Sequence, residues 1–145
     1  MMIDSRVYDG LADIRSALRR FLAISDAATG AAEITPQQYQ ALLALKVHTP
    51  EGLIIRDLAR EMGLQHNAMV QLVVRLVQAG LVDRCPSPKD GRSVVVLLTS
   101  KGEELLDQIT GDHFQTLLDN GQLLAETLYR LKQLERFRKG KVRLG

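Results

Sequence analysis

Apolar positions keep a helical rhythm along most of this chain and change period once, near its middle. At the N-terminal end Ile3, Val7, Leu11, Ile14, Leu18 and Phe21 step by four, four, three, four and three. That near-heptad seam predicts a long amphipathic helix from Ile3 to about Ala28. Thr29 to Glu33 reads as a small-residue linker. Thr35-Pro36-Gln37-Gln38 then predicts a helix start: the Thr35 hydroxyl caps free amides, Pro36 suits the first helical position, and Gln38 completes a capping box. This helix runs to about His48, with Tyr39, Leu42, Leu43 and Val47, or a close set, as its buried face. Thr49 to Gly52 ends it, and Leu53-Ile54-Ile55 is a short extended piece suited to a third strand.

Residues 56–102 carry the change of period. Leu58, Ala59 and Met62 form the inner side of a short helix, Gly63 supplies a bend, and Met69, Leu72, Val73 and Leu76 mark a second helix that Gly80 stops. A polar, proline-punctuated tip follows, then the β-branched run Val94 to Leu98. Helix, glycine turn and helix followed by a β-ribbon predicts a winged helix-turn-helix, a mainly α fold with a small β-wing. Thr99 caps the next helix, with Glu103 and Glu104 near its positive end. It continues through Leu105, Leu106, Ile109, Phe114, Leu117 and Leu118, with a weak point at Gly111. Asn120-Gly121 predicts a turn, and a last helix spans about 122–137 with Leu124, Leu128, Leu131 and Leu134. The basic tail, Arg136, Arg138, Lys139, Lys141 and Arg143, reads as a solvated charged end.

The expected organisation is one domain over 1–145, with a winged helix-turn-helix at 34–103 and dimerisation helices at 1–33 and 104–139. The terminal helices offer more apolar stripe than a small winged domain can cover. A two-fold homodimer buries that excess and sets two recognition helices about one duplex turn apart, roughly 34 Å, as a palindromic site on double-stranded DNA requires.

Composition narrows the function classes. A chain of 145 residues, 46% hydrophobic and 25% charged, has the makeup of a folded globular protein. Aromatic content of 4% with no tryptophan argues against a stacking platform for single strands. The net charge is only +2, but it is unevenly spread: residues 53–101 carry seven basic and four acidic side chains, whereas residues 1–34 carry four and five. A single cysteine, no signal-peptide pattern and no run of about 18 apolar residues lead to the expectation of a cytoplasmic protein without a membrane partner. His48, His66 and His113 lack ligand spacing, so neither metal nor cofactor is expected. No nucleophile–base pairing, phosphate loop or carboxylate cluster points to an enzyme.

The chain resembles the MarR (multiple antibiotic resistance regulator) family of winged-helix transcription factors. The likeness rests on Ile34 to Tyr39, Leu58-Ala59, Met62-Gly63-Leu64, Leu72 to Leu76 and Gly80 to Arg84. Most specific is Asp90-Gly91-Arg92 running into Val96-Leu97-Leu98-Thr99-Ser100-Lys101-Gly102, an Asp-x-Arg wing followed by a Leu-Thr-x-x-Gly helix start. The resemblance implies a dimer, a recognition helix in the major groove and wings at the minor groove. It further implies a repressor released by a small, often aromatic or phenolic, effector. Arg92 is then the wing residue that enters the minor groove. Asp90 braces the wing by pairing with Arg92 or Arg84, and Lys89 is a phosphate contact. On the recognition helix Gln65, His66, Asn67, Gln71 and Arg75 are left for DNA, with Asn67 and Gln71 suited to bidentate contacts with adenine. Here the chain departs from the family, which usually has serine or threonine around Gln65 to Ala68 and a basic residue near Gln71. Gln65 is also a poor N-cap. Two alternatives stand beside the repressor: a winged-helix interaction module that has lost DNA binding, and a thiol-sensing regulator acting through Cys85. Phe21, Tyr39, His48 and Phe114 read as core packing.

Overall fold

The computed structural model describes the backbone of residues 2–144 and the side chains of residues 2–111, 114–116 and 118–135. Eight elements follow in order: α1 (Ser5–Ala31), α2 (Pro36–Val47), β1 (Leu53–Ile54), α3 (Ile55–Met62), α4 (His66–Gln78), β2 (Val82–Pro86), β3 (Val94–Leu98) and α5 (Ser100–Leu144). The chain divides at Ala27/Ala28 and again at Asp112/His113 into two compact units. One holds most of α1 with the C-terminal part of α5; the other holds the elements between and the start of α5.

The central unit is a helical layer on a three-stranded sheet of order β1-β3-β2, all pairs antiparallel. Leu53 lies opposite Val96, and Val82 opposite Leu98, so the β-branched strand β3 is the middle of the sheet. Its core joins Leu42 and Leu45 of α2, Leu58 of α3, Met69 and Leu76 of α4, and Val96 of β3, all essentially inaccessible. The capping box at α2 forms as expected. Gln38 N donates to Thr35 Oγ1 at 3.1 Å, and Thr35 N donates to Gln38 Oε1 at 2.9 Å. The short strand β1 joins the ribbon, and Gly52 ahead of it sits at φ +75° with its Cα against the Val96 carbonyl, where a side chain would collide.

Four expectations need correction. Thr29 to Glu33 is not a linker: α1 continues to Ala31 and Thr29 is fully buried. Alanines at 27, 28 and 31 are strong helix formers. The helix closes only where Glu33 enters the left-handed region at φ 59°, with Ile34 N bonded to Thr29 O at 3.2 Å. The buried face of α2 is Tyr39, Ala41, Leu42 and Leu45, whereas Leu43 is exposed and Val47 is 80% exposed. Leu42 and Leu45 are three residues apart and share a face; Leu43 is turned about 100° from Leu42. Phe114 and His48 also lie outside the core, the first 55% exposed and the second bonded to Glu61 at 2.8 Å.

The fourth correction concerns Asn120-Gly121, which is not a turn. One unbroken helix, α5, runs through it. The Asn120 amide turns back onto the Thr116 carbonyl at 2.7 Å, satisfying inside the helix the polar group that favours a turn elsewhere. The glycine costs about 1 kcal/mol against alanine, too little to break a helix of good formers on both sides. The terminal basic residues, Arg136 to Arg143, lie outside the residues with described side chains.

In the other unit, α1 and α5 approach so closely that a side chain on Gly10 would strike Leu131. The seam of α1 is split. Val7, Ile14 and Phe21 are half-buried, while Ile3, Leu11 and Leu18 remain exposed. Among the described residues, ten of the twelve exposed large apolar side chains belong to this unit, Tyr8, Leu22, Leu128 and Tyr129 among them.

Candidate nucleic-acid interface

The helix-turn-helix is closed by backbone geometry that its glycines permit. At the end of α3, Gly63 takes φ +65°, and its N–H donates to Arg60 O at 3.2 Å while Leu64 N donates to Ala59 O at 2.9 Å. This pair of bonds is a Schellman motif, and it turns the chain into α4. On α4 the residues Met69, Leu72, Val73 and Leu76 are buried. The outward face carries Gln65, His66, Asn67, Gln71 and Arg75, all exposed. Their side chains make no hydrogen bond or ion pair among the described residues. Gln65 occupies the N-cap position in an extended conformation but gives no side-chain cap, as its chemistry predicts.

The wing is the β2–β3 ribbon and its tip. Ser87 N donates to Ser93 O at 2.8 Å, and Gly91 N donates to Ser87 O at 2.9 Å. Asp90 organises the tip, though not as expected. Neither Arg92 nor Arg84 pairs with its carboxylate; instead Oδ1 accepts from Arg92 N and Ser93 N, each at 3.0 Å, and Oδ2 accepts from Ser93 Oγ at 3.1 Å. The acid two residues before Arg92 therefore binds that residue's main chain in an Asx-type turn, which leaves the guanidinium outside. Arg92 and Lys89 are both exposed, and the Arg92 side chain has no partner among the described residues.

These bonds hold the Asp90 carboxyl below the usual aspartate range, the Ser93 amide contributing most, then the Arg92 amide, with the Ser93 hydroxyl and the charge of Arg56 adding to it. Because the folded value is depressed, the carboxylate's contribution to wing order is complete above the unfolded value and fades as pH falls through the folded one. We expect Asp90→Ala to lower amide protection at Arg92 and Ser93 several-fold at neutral pH, read by hydrogen exchange, with protection elsewhere in the sheet retained. Unchanged protection at the tip would show that the carboxylate does not brace it.

The structure brings the eight expected contact residues to two places, the outer face of α4 and the wing tip. Two contributors were not singled out from sequence. Arg56, exposed at the start of α3, lies near enough to the tip to act on Asp90; nothing in its local pattern separates it from an ordinary helix-surface arginine. Thr99, foreseen only as a cap, also bonds the chain beyond α4. Cys85 is half-buried on β2 opposite Val95. No described helix is long and apolar enough to cross a membrane.

Residues 32–93 match the MarR family. The organic hydroperoxide resistance transcriptional regulator of Bacillus subtilis (strain 168) is 34% identical over 99 residues, 68% of this chain and 65% of that protein. The matched stretch thus spans a little under two thirds of the length of that relative. Among solved structures, a MarR transcription factor from Planctomyces limnophilus aligns with a TM-score of 0.65 at 28% identity, covering 94% of this chain and 98% of its own. A mutant of MarR from E. coli complexed with operator DNA aligns with a TM-score of 0.66, covering 83% and 89%; at 24% identity that likeness is one of fold.

Proposed function

The chain belongs to the MarR family, and from that premise we propose that it is a dimeric transcriptional regulator that binds a palindromic site on double-stranded DNA and represses from it. The observation that carries this reading is the outer face of α4, where five exposed polar side chains, Gln65, His66, Asn67, Gln71 and Arg75, have no partner among the described residues, together with a wing whose Arg92 side chain likewise has none among them. Asn67 and Gln71 are the adenine readers, Arg75 and Lys89 bind phosphate, His66 and Gln65 lie at the helix end nearest the bases, and Arg92 enters the minor groove. That an E. coli protein of the same fold has been seen complexed with operator DNA supports duplex DNA as the partner.

Dimerisation is supported by the exposed apolar residues of the unit built from α1 and the C-terminal part of α5. Repression relieved by a small aromatic or phenolic effector follows the family resemblance. The test is selection from a random duplex pool by the wild-type chain. Enrichment of an inverted repeat, bound by two chains in sedimentation, is expected; a pool that stays random, or a monomer bound to one half-site, would contradict the reading.

A further inference from the structure

Three successive carbonyls just beyond α4 are held by the residues that begin α5. Lys101 Nζ donates to Ala79 O at 2.9 Å, Thr99 Oγ1 donates to Gly80 O at 2.6 Å, and Thr99 N donates to Leu81 O at 3.1 Å. The same Thr99 hydroxyl accepts from Gly102 N at 3.1 Å, so one oxygen both caps α5 and grips the turn that closes α4. These carbonyls belong to the turn that closes α4. The helix's own last carbonyls at Arg75, Leu76 and Val77 accept from Ala79 N, Leu81 N and Gly80 N, and the turn that supplies those amides is in turn held from another element. Lys101 adds a cation at the negative end of α4. Gly102 makes the approach possible, since a Cβ there would overlap the Leu81 carbonyl.

We infer that Thr99, seconded by Lys101, is a positioning residue for base readout: it fixes the direction of α4 from its C-terminal end. The lever is long. Asn67 lies twelve residues before Ala79, about 18 Å along the axis, so a tilt of only 10° at the pivot moves it by about 3 Å, a whole hydrogen-bond length. The buried face of α4 packs it on the core, and the hydrogen bonds at the turn beyond Gln78 add a directed constraint that apolar contact does not contain. The N-terminal end of α4 has no side-chain cap to add another. The grip makes α4 follow the first turn of α5, the helix that continues to Leu144.

The inference rests on the DNA-binding reading, and its test separates the two. The probe is the duplex that the wild-type chain enriches from a random pool, measured beside a mixed-sequence duplex of equal length. Thr99→Val removes both hydroxyl bonds while keeping the branched shape; Thr99→Ser keeps the hydroxyl. Expected is a loss of about tenfold in affinity for the selected duplex in Thr99→Val, from loss of directed hydrogen bonding. Affinity for the mixed-sequence duplex should stay within about twofold, since phosphate contacts tolerate tilt. Thr99→Ser should restore the wild-type ratio. Equal affinity of Thr99→Val and wild type for the selected duplex would overturn the positioning role, as would a parallel loss on both duplexes, which marks mere destabilisation. A wild-type chain that enriches no duplex would overturn the DNA-binding reading and the inference with it, a pattern distinct from either.

Discussion

Alanine at Gly102 is expected to lower the melting temperature by about 5–10 °C, although alanine at an open helical position normally stabilises. The new methyl group would overlap the Leu81 carbonyl and press on Leu98 Cδ2, and backbone cannot swing aside as a long side chain does. Overpacking of this kind costs about 1–3 kcal/mol, and the shift needed to relieve it would also stretch the Thr99 bond to Gly80, so the total belongs at the upper end. Gly111 is the internal control. It sits in the same helix with nothing within 4 Å of where its Cβ would be. Gly111→Ala should therefore raise stability, by up to about 1 kcal/mol. Thermal or urea unfolding of the two variants checks the sign of each, and a Gly102→Ala protein as stable as Gly111→Ala would refute the close approach.

Arg92→Ala should weaken duplex binding by about tenfold and reduce the slope of log affinity against log salt by about one. The fold should not notice. The guanidinium has no partner among the described residues, and the wing tip is held through the Arg92 main chain, which alanine retains. The comparison with Asp90→Ala is informative because the two act differently: the first removes the contact and the second loosens its support. Binding titrations at several salt concentrations, with circular dichroism to follow the fold, provide the check. An Arg92→Ala protein with wild-type affinity and salt slope would remove the wing from the interface.

The winged helix was legible in the sequence because its signals are local and chemical. Gly63 and Gly80 hold the positive φ values that end α3 and α4, and Thr35, Pro36 and Gln38 form the cap that their types dictate. The continuous α5 was not legible. Asn120-Gly121 is a turn pair only where flanking residues favour a turn, and here the Asn120 side chain found an acceptor one helical turn back. Asp90 was recognised as the wing's brace but its partner was misread. Opposite charges suggest an ion pair, whereas a short side chain two residues away reaches a backbone amide more easily than a mobile guanidinium. The face of α2 failed for a related reason: Leu43 and Val47 are as apolar as Leu42 and Leu45, and only the three-dimensional placement of α3 and β3 decides which pair is covered. The grip of Thr99 on Gly80 spans nineteen residues and could not be read from spacing.

The central claim is that the outer face of α4 and the wing bind duplex DNA in a sequence-dependent way. The most direct test is a mobility shift at low salt with the duplex lying upstream of this chain's own reading frame. The account predicts a discrete retarded complex that the same duplex competes away and an unrelated one does not. Indifference to that duplex and to every other, at low salt where phosphate contacts are strongest, would contradict it and leave α4 as a surface for a protein partner.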